Sequence, residues 1–544
     1  MAADSDSSTR DARNSDPEVD GLKEKDMLHT EVTASSDLMN EAYLGENHEH
    51  EVGVWQSIKE HPMACFWAFV FCFTIVMESF DMFLNGNFVA LPAFQQRYGV
   101  YVGPGPDDYS IPTKWQSSLF QAGQAGAFIG VLLAGPVVNR LGYRWTTIMA
   151  LILMNATIFI SFFADSLTVL VIGQAFEGVP WGFFIGCSPA YASEVVPLAL
   201  RGVCTATLQM SWSIGSIIVA GATYGYNQKD TEWAWRAPIA LQWLFPTPLL
   251  ILVFFAPESP WWLTRNGRKE EALKSISRLA RKSTSSAKNN EETFAMIERT
   301  IEIEKKYSGT PSLLDLFKGV DLRRTLITCL IYASQNFAGN LIANQATYFF
   351  EQAGMTPDFS FQLNLITTCL QFVANIGSWF LMAWFGRRTI YIYGCGFNCA
   401  MLIILGICAS IDQNSSTNYA QACLGVIISF VYAGTQGPVS YAIIAEASSI
   451  RLRALSTGVG RAAYYIAEIP MIYLASRMLN QTGWDLAGKC GYVWGGTAFV
   501  CLVSAYFGLP EFKHRSYREL DILFNRKVSA RKFKSTIIDV RDNE

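Results

Sequence analysis

Two acids, Glu78 and Asp81, lie inside the apolar run CFWAFVFCFTIVMESFDMFLNGNFVAL at residues 65–91. The run exceeds the roughly 20 apolar residues that cross a bilayer's hydrocarbon core. A carboxylate near the middle of such a segment costs about 2.5–3.5 kcal/mol to insert. Three residues apart, the two acids share one face of a helix, and that face has to line a cavity or meet a partner rather than lipid. An ionisable group at this depth is read first as functional, here as a site for a proton or another ion on a permeation path. The structural alternative is a buried polar pair that fixes helix packing. Other apolar segments hold Glu177, Arg461 and Glu468. Seven residues, two helical turns, separate Arg461 from Glu468, so they too share a face. An arginine there holds an acid ionised in one conformation and releases it in another. The alternative is an arginine near the end of its span that snorkels to the surface.

The elements that carry these groups are membrane spans. The chain of 544 residues is 51% hydrophobic and only 16% charged, against about 25% charged in ordinary soluble domains. Its mean hydropathy is positive. Apolar runs of spanning length recur between short polar stretches, the pattern of a polytopic membrane protein. The net charge of −4 says little about partners, and no basic cluster suggests nucleic acid. Of the 12 cysteines, most fall inside apolar runs (Cys72, Cys187, Cys329, Cys369, Cys408, Cys501), and no CxxC or His/Cys spacing reads as a metal site. No paired acids in a soluble cleft, nucleophile–base spacing or phosphate loop suggests an enzyme or a cofactor.

Residues 1–60 are polar, rich in Asp, Glu and Ser, and read as a disordered acidic tail with no secretory signal. Spans are expected at roughly 64–91, 117–138, 145–164, 167–190, 203–225 and 236–256, then 324–350, 361–384, 389–410, 422–446, 455–478 and 491–509. Between the sets of six lies a charged stretch with helical spacing of its apolar residues. The expected architecture is an all-α membrane protein with twelve transmembrane helices in two six-helix, pseudo-symmetric halves. The halves are 61–260 and 324–509, joined by a cytoplasmic helical linker at 261–323 and followed by a tail at 510–544.

Basic residues in the short loops set the orientation. Arg140, Arg144 and Arg201, the middle stretch, Arg387, Arg388, Arg451, Arg453 and the tail fall on one side. The opposite loops are sparser (Arg97, Lys114, Lys229, Arg236, Arg477, Lys489). Both termini are therefore expected in the cytoplasm. Asn414 and Asn480 head N-x-S/T triplets on the outer side and are candidate glycan sites. The loops also echo one another. GPVVNRLGYRW after the second span is matched by WFLMAWFGRRT after the eighth, and Glu194 before LALRG is matched by Glu446 before RLRAL. Such an acid at a helix end, facing arginines of the neighbouring loop, makes a cytoplasmic lock that closes in one state and parts in another. Positive-inside topology alone explains the arginines but not the paired acids.

Three motifs in this order resemble the sugar porters of the major facilitator superfamily. PESPWWL (257–263) is similar to the family's PESPRWL, PAYASEVVPLALRG (189–202) to PxYxSExxPxxxRG, and PEFKHRSYRELDILF (510–524) to its PETKGxxxEEID tail. A narrower resemblance is to fungal α-glucoside and oligosaccharide permeases of the maltose permease type. It is carried by ESFDMFLNGNFVALPAFQQRYG (78–99), EGVPWGFF (177–184), QNFAGNLIANQATYFFEQAGM (335–355), RLRALSTGVGRAAY (451–464) and LFNRKVSARKF (523–533). The resemblance implies proton-coupled uptake of a di- or oligosaccharide across the plasma membrane by a monomer working through alternating access. A sugar sensor on the same fold and an uncoupled facilitator are the other functions it admits.

A sugar offers hydroxyls that donate and accept, so its pocket wants amides and aromatic walls. Span five supplies Gln209 and Trp212, span seven Gln335, Asn336, Asn340 and Asn344, and span eight Gln371 and Asn375. Amides in hydrocarbon need partners, so the alternative is polar glue between helices. The resemblance makes Gln209, Gln335 and Asn336 sugar contacts and Asp81 the proton carrier. Tyr441 stands where many hexose porters have Trp, and its smaller ring leaves room for a second sugar unit. Three departures bear on coupling: Gln174 replaces a frequent Arg and removes the usual partner of Asp81. Asn139 and Tyr143 replace Asp and Arg in the first loop motif, and Ala127 replaces a frequent Glu.

Overall fold

The structure, a computed structural model, describes residues 54–103, 109–197, 200–281, 287–307, 313–337, 344–412, 414–449, 452–513, 515 and 517–536. Among these, eight helices are long and apolar enough to cross a membrane: Pro62–Phe88, Thr113–Phe162, Leu167–Val195, Trp233–Phe254, Pro357–Met382, Arg387–Ser410, Ser415–Ile444 and Ala487–Gly508. The 50-residue helix Thr113–Phe162 is two helices joined at Gly142, whose φ of 85° departs from helical geometry. Three more helices, Arg201–Tyr226, Gly319–Phe337 and Arg453–Leu479, stand at the expected fifth, seventh and eleventh spans. A helix thus occupies each of the twelve expected positions. The loop expected near 139–144 is not a separate element, because helical geometry runs up to Gly142 and resumes after it.

Most of the expected disordered tail lies outside the described residues, but its end does not conform. Val54–Glu60 is a helix, and the carbonyl of Glu60 accepts a hydrogen bond from the backbone of Arg281. The linker holds the helices Pro260–Arg265, Lys269–Leu279 and Ala287–Tyr307. Helix Tyr517–Asn525 of the C-terminal tail docks at the start of span seven. There Arg324 pairs with Asp521 at 2.6 Å and lies over the ring of Phe524.

The second and fourth spans meet through glycines. Gly126 and Gly130 of one face Gly178 and Gly182 of the other, each so close that an added Cβ would run into the opposing backbone. Small residues four apart permit this approach, and close van der Waals packing replaces the hydrophobic drive that lipid does not supply.

The loop echo is structural as well. Arg144 Nη2 donates to the carbonyl of Phe254 at 2.5 Å, and Arg388 Nη2 donates to that of Tyr506 at 2.7 Å. The carboxylate of Glu258 caps the Gly142 turn by accepting from the backbone N–H groups of Tyr143 and Arg144, at 3.0 and 3.1 Å. The carboxylate of Glu511 likewise stands against Gly386, but accepts from the backbone N–H groups of Phe512 and Lys513. Burial raises the pKa of Glu258, and its backbone hydrogen bonds partly oppose that shift.

Candidate functional site

Span one positions the first acids. It runs as Pro62–Cys72 and Ile75–Phe88, with a break at Phe73–Thr74. Thr74 Oγ1 bonds the carbonyl of Phe71 and meets Ser188 Oγ, both at 2.7 Å; a hydroxyl bonded back to its own helix bends it. One turn later Glu78 reaches Arg461 of span eleven, Nη2 to Oε1 3.4 Å. Both are buried, at 3% and 7% exposure. This sets aside the snorkelling alternative for Arg461. The guanidinium sits among three rings, 4.7 Å from Tyr464, 5.3 Å from Tyr465 and 5.9 Å from Tyr332. Tyr464 Oη donates to Glu468 at 3.0 Å, which completes a chain from Glu78 through Arg461 and Tyr464 to Glu468.

Asp81 does not join this chain, contrary to the expectation that the two acids of span one serve one face. A three-residue step turns a helix about 300°, leaving the side chains about 60° apart, enough for different neighbours. Asp81 accepts from Trp181 Nε1 at 3.0 Å and from Gln242 Nε2, and its carboxyl also meets that of Glu177. Glu177 is held by Ser161 at 2.5 Å and by Gln174 at 3.0 Å. Gln174 therefore does not leave Asp81 without partners; the indole and an amide of span six replace the arginine. Gln242 lies in a 3-10 turn, Gln242–Leu244, just before Pro246, where the missing proline N–H interrupts span six. Two carboxyl clusters result. One joins the halves through Glu78 and Arg461, and the other lies within the first half.

Beside Arg461 a small cavity of about 60 Å³ lies between the halves. Gln209, Trp212, Gln335, Asn344, Gln371, Asn375, Tyr441 and Arg461 all line it. Phe83, Ser213, Tyr432, Ala433, Gly437 and Tyr464 complete its walls. Gln335 Nε2, Asn344 Nδ2 and Asn375 Oδ1 are buried there without a protein partner, a state that protein interiors avoid unless a ligand or water supplies the bond. Asn336 points elsewhere: it is fully buried and donates to the carbonyl of Tyr464 at 3.2 Å, so it braces span eleven instead of lining the cavity. Asn340 lies outside the described residues. A smaller cavity, of about 10 Å³, adjoins through Asn344 and reaches Trp181, Gln124 and Asn85.

Hydrogen bonds between the halves lie mid-molecule and at the end away from the linker. Thr113 meets Thr482 at 2.8 Å, Gln116 meets Asn480 at 2.5 Å, and Asn87 accepts from Thr347 and Asn364. Asn480 is fully buried and also donates to the carbonyl of Ile111, so its amide is not open to glycosylation; Asn414 is exposed. At the linker end the ion pairs of the described residues do not join one half to the other. Arg387 meets Glu446 at 3.0 Å, as the echo predicts. Glu194 instead pairs with Arg265 at 3.1 Å and accepts from Tyr143 and Ser259. Its expected partners are engaged elsewhere or point away: Arg144 bonds Phe254, and Arg140 is exposed. The PESPWWLTR turn brings Arg265 closer than the loop does. Arg451 and the side chains of Arg201 and Arg453 lie outside the described residues.

The sequence reading missed Gln242 and Trp181, the partners of Asp81. An amide inside an apolar span was the available signal for Gln242, the same one applied to spans five, seven and eight. Trp181 carried none, since tryptophan is as common against lipid.

The family description "Sugar (and other) transporter" matches residues 67–524. The chain belongs to this sugar transporter family. It is 36% identical over 524 residues to a general alpha-glucoside permease of Saccharomyces cerevisiae, covering 96% of this chain and 84% of that one. It is 35% identical over 510 residues to a maltose permease of the same yeast, covering 92% and 82%. Among solved structures it resembles the xylose transporter XylE from E. coli, with a TM-score of 0.64, 17% identity, and coverage of 82% of this chain and 99% of that one. The family's major facilitator fold and its membrane-transport role therefore hold for this chain, which is a multi-pass membrane protein and not an enzyme.

Proposed function

We propose that this sugar transporter carries an α-glucoside, or another di- or oligosaccharide, into the cell together with a proton by alternating access across the plasma membrane. The observation that carries the reading is Arg461, which lines the amide cavity while pairing with Glu78 across the halves. Sugar hydroxyls satisfy Gln209, Gln335, Asn344, Gln371 and Asn375, and Trp212 and Tyr441 supply apolar walls. Protonation of Glu78 frees Arg461 from its ion pair, which links the proton to the cavity wall and to the seam between the halves. Asp81, Glu177 and Glu468 complete the proton-handling groups. The yeast relatives' names, alpha-glucoside and maltose permease, support the substrate class.

On this reading the linker end is cytoplasmic, as are both termini, and the protein works as a monomer. The two halves rock about the cavity. The linker-end pairs Glu194–Arg265 and Glu446–Arg387 hold each half together on the inner side, and the amide and hydroxyl contacts around Thr113 and Asn480 close the outer side.

Uptake of labelled maltose, cellobiose and lactose by transport-null cells expressing the chain, at two external pH values, tests the reading. Acid-stimulated uptake of at least one disaccharide is expected. Uptake insensitive to pH identifies a facilitator, and no uptake of any of them leaves a sensor.

A further inference from the structure

The contacts that close the outer end are mostly between uncharged groups, and two carboxyls, Asp358 and Glu351, sit among them. Glu351, near the end of the helix Ala346–Gln352, accepts from Gln95 Nε2 at 3.4 Å through Oε1. Its Oε2 is sealed from solvent and has no partner. Gln95 belongs to the first half and Glu351 to the second, so this contact crosses the seam that parts when the cavity opens outward.

An ionised carboxylate with one long hydrogen bond and one sealed, unpartnered oxygen is poorly solvated, whereas the neutral acid tolerates the site. The ionisable groups on the surrounding elements do not offset a charge there. Asp358, at the start of span eight, is held by Asn227, Gln228 and Gln362. Arg97 lies over the ring of Tyr98. Asp485 and Lys489, before span twelve, are exposed. Tyr348 of the same helix and Tyr419 of span ten are phenols. Glu78 and Asp81 lie deeper on span one, engaged with Arg461 and with Trp181 and Gln242.

We propose that Glu351 is a proton-linked gating residue of the transport cycle, neutral while the outer end is closed and ionised when it opens. The proposal rests on the orientation given above. Opening draws Gln95 away and admits water; the O–H bond of the acid breaks and its proton passes to that water. Closing takes a proton back from the same side. Glu351 thus carries no proton across the membrane, but acid outside favours closure independently of sugar.

The test reads the gate and not uptake, so it fails separately from the transport reading. Ser117, buried one turn beyond Thr113, becomes Ser117→Cys, and the exposed Asn414 becomes Asn414→Cys as a reference for thiol reactivity. Each full-length variant in intact cells is treated without sugar with a membrane-impermeant maleimide, at acid and at neutral external pH. Labelling of Ser117→Cys relative to Asn414→Cys is expected to fall severalfold at acid pH. Adding Glu351→Gln makes it low at both values, and Glu351→Asp restores the dependence. A parent without pH dependence, or Glu351→Gln with the parent's dependence, overturns the proposal. Should Glu351→Gln not reach the surface, Gln95→Ala must shift the midpoint of the labelling curve, and an unmoved midpoint overturns it equally.

Discussion

Arg461 ties coupling to binding, because one guanidinium both lines the cavity and pairs with Glu78 of the other half. Removing one partner of a buried ion pair leaves an uncompensated charge and costs about 3–5 kcal/mol. Glu78→Gln and Arg461→Gln are each expected to lower the melting temperature of the purified protein, and the double substitution to recover part of the loss. Equal or greater loss in the double variant would contradict the pairing. The neighbours Gln335 and Asn336 separate in the same spirit. Gln335→Ala is expected to raise the KM for sugar about tenfold, near 1.4 kcal/mol, with little effect on melting. Asn336→Ala, which loses a bond to the backbone of Tyr464, is expected to lower melting first. Both residues were legible as polar groups at membrane depth. Sequence alone did not separate them, because adjacent residues on a helix lie about 100° apart and only packing shows which faces the cavity.

At the scale of elements, the close seam between spans two and four fixes where span four stands, and span four carries Trp181 and Glu177 to Asp81 of span one. Gly178→Val puts side-chain atoms where Gly123 and Ala127 present backbone, and overpacking typically costs about 1–3 kcal/mol. Reduced surface expression and loss of uptake are expected, measured by quantitative blotting of membranes beside a transport assay. Gly142→Ala is expected to act similarly, through its positive φ and the carboxylate of Glu258 that fills the space. The twelve helices were readable from hydropathy because length and apolarity dictate a span. Their breaks were less so: the 3-10 turn at Gln242 follows from Pro246, but the bend at Thr74 has neither glycine nor proline to announce it. The partner of Glu194 was misread for a related reason. Arg144 is nearer in the echoing motif, yet the turn after span six delivers Arg265.

At the scale of the whole molecule, two halves repeat the same loop chemistry, and the groups of interest lie where they meet. Arg144 and Arg388 bond matching carbonyls, and the carboxylates of Glu258 and Glu511 stand against matching glycines, Gly142 and Gly386. This repetition was visible as an echo of motifs, whereas the division of the carboxyls into two clusters was not, because it depends on how the halves dock. The closed outer end depends on bonds such as Gln116 with Asn480. Asn480→Ala is expected to shift the resting molecule toward the outward-open state, read as faster labelling of Ser117→Cys from outside. The central claim is that a proton gradient drives sugar through this cavity by way of Glu78 and Arg461. The most direct measurement is the steady-state ratio of internal to external concentration of a non-metabolised α-glucoside, in cells carrying the parent or Glu78→Gln, with and without a protonophore. The account predicts a ratio well above one for the parent that collapses with the protonophore, and a ratio near one for Glu78→Gln. A parent ratio of one, or accumulation that survives Glu78→Gln, would contradict it.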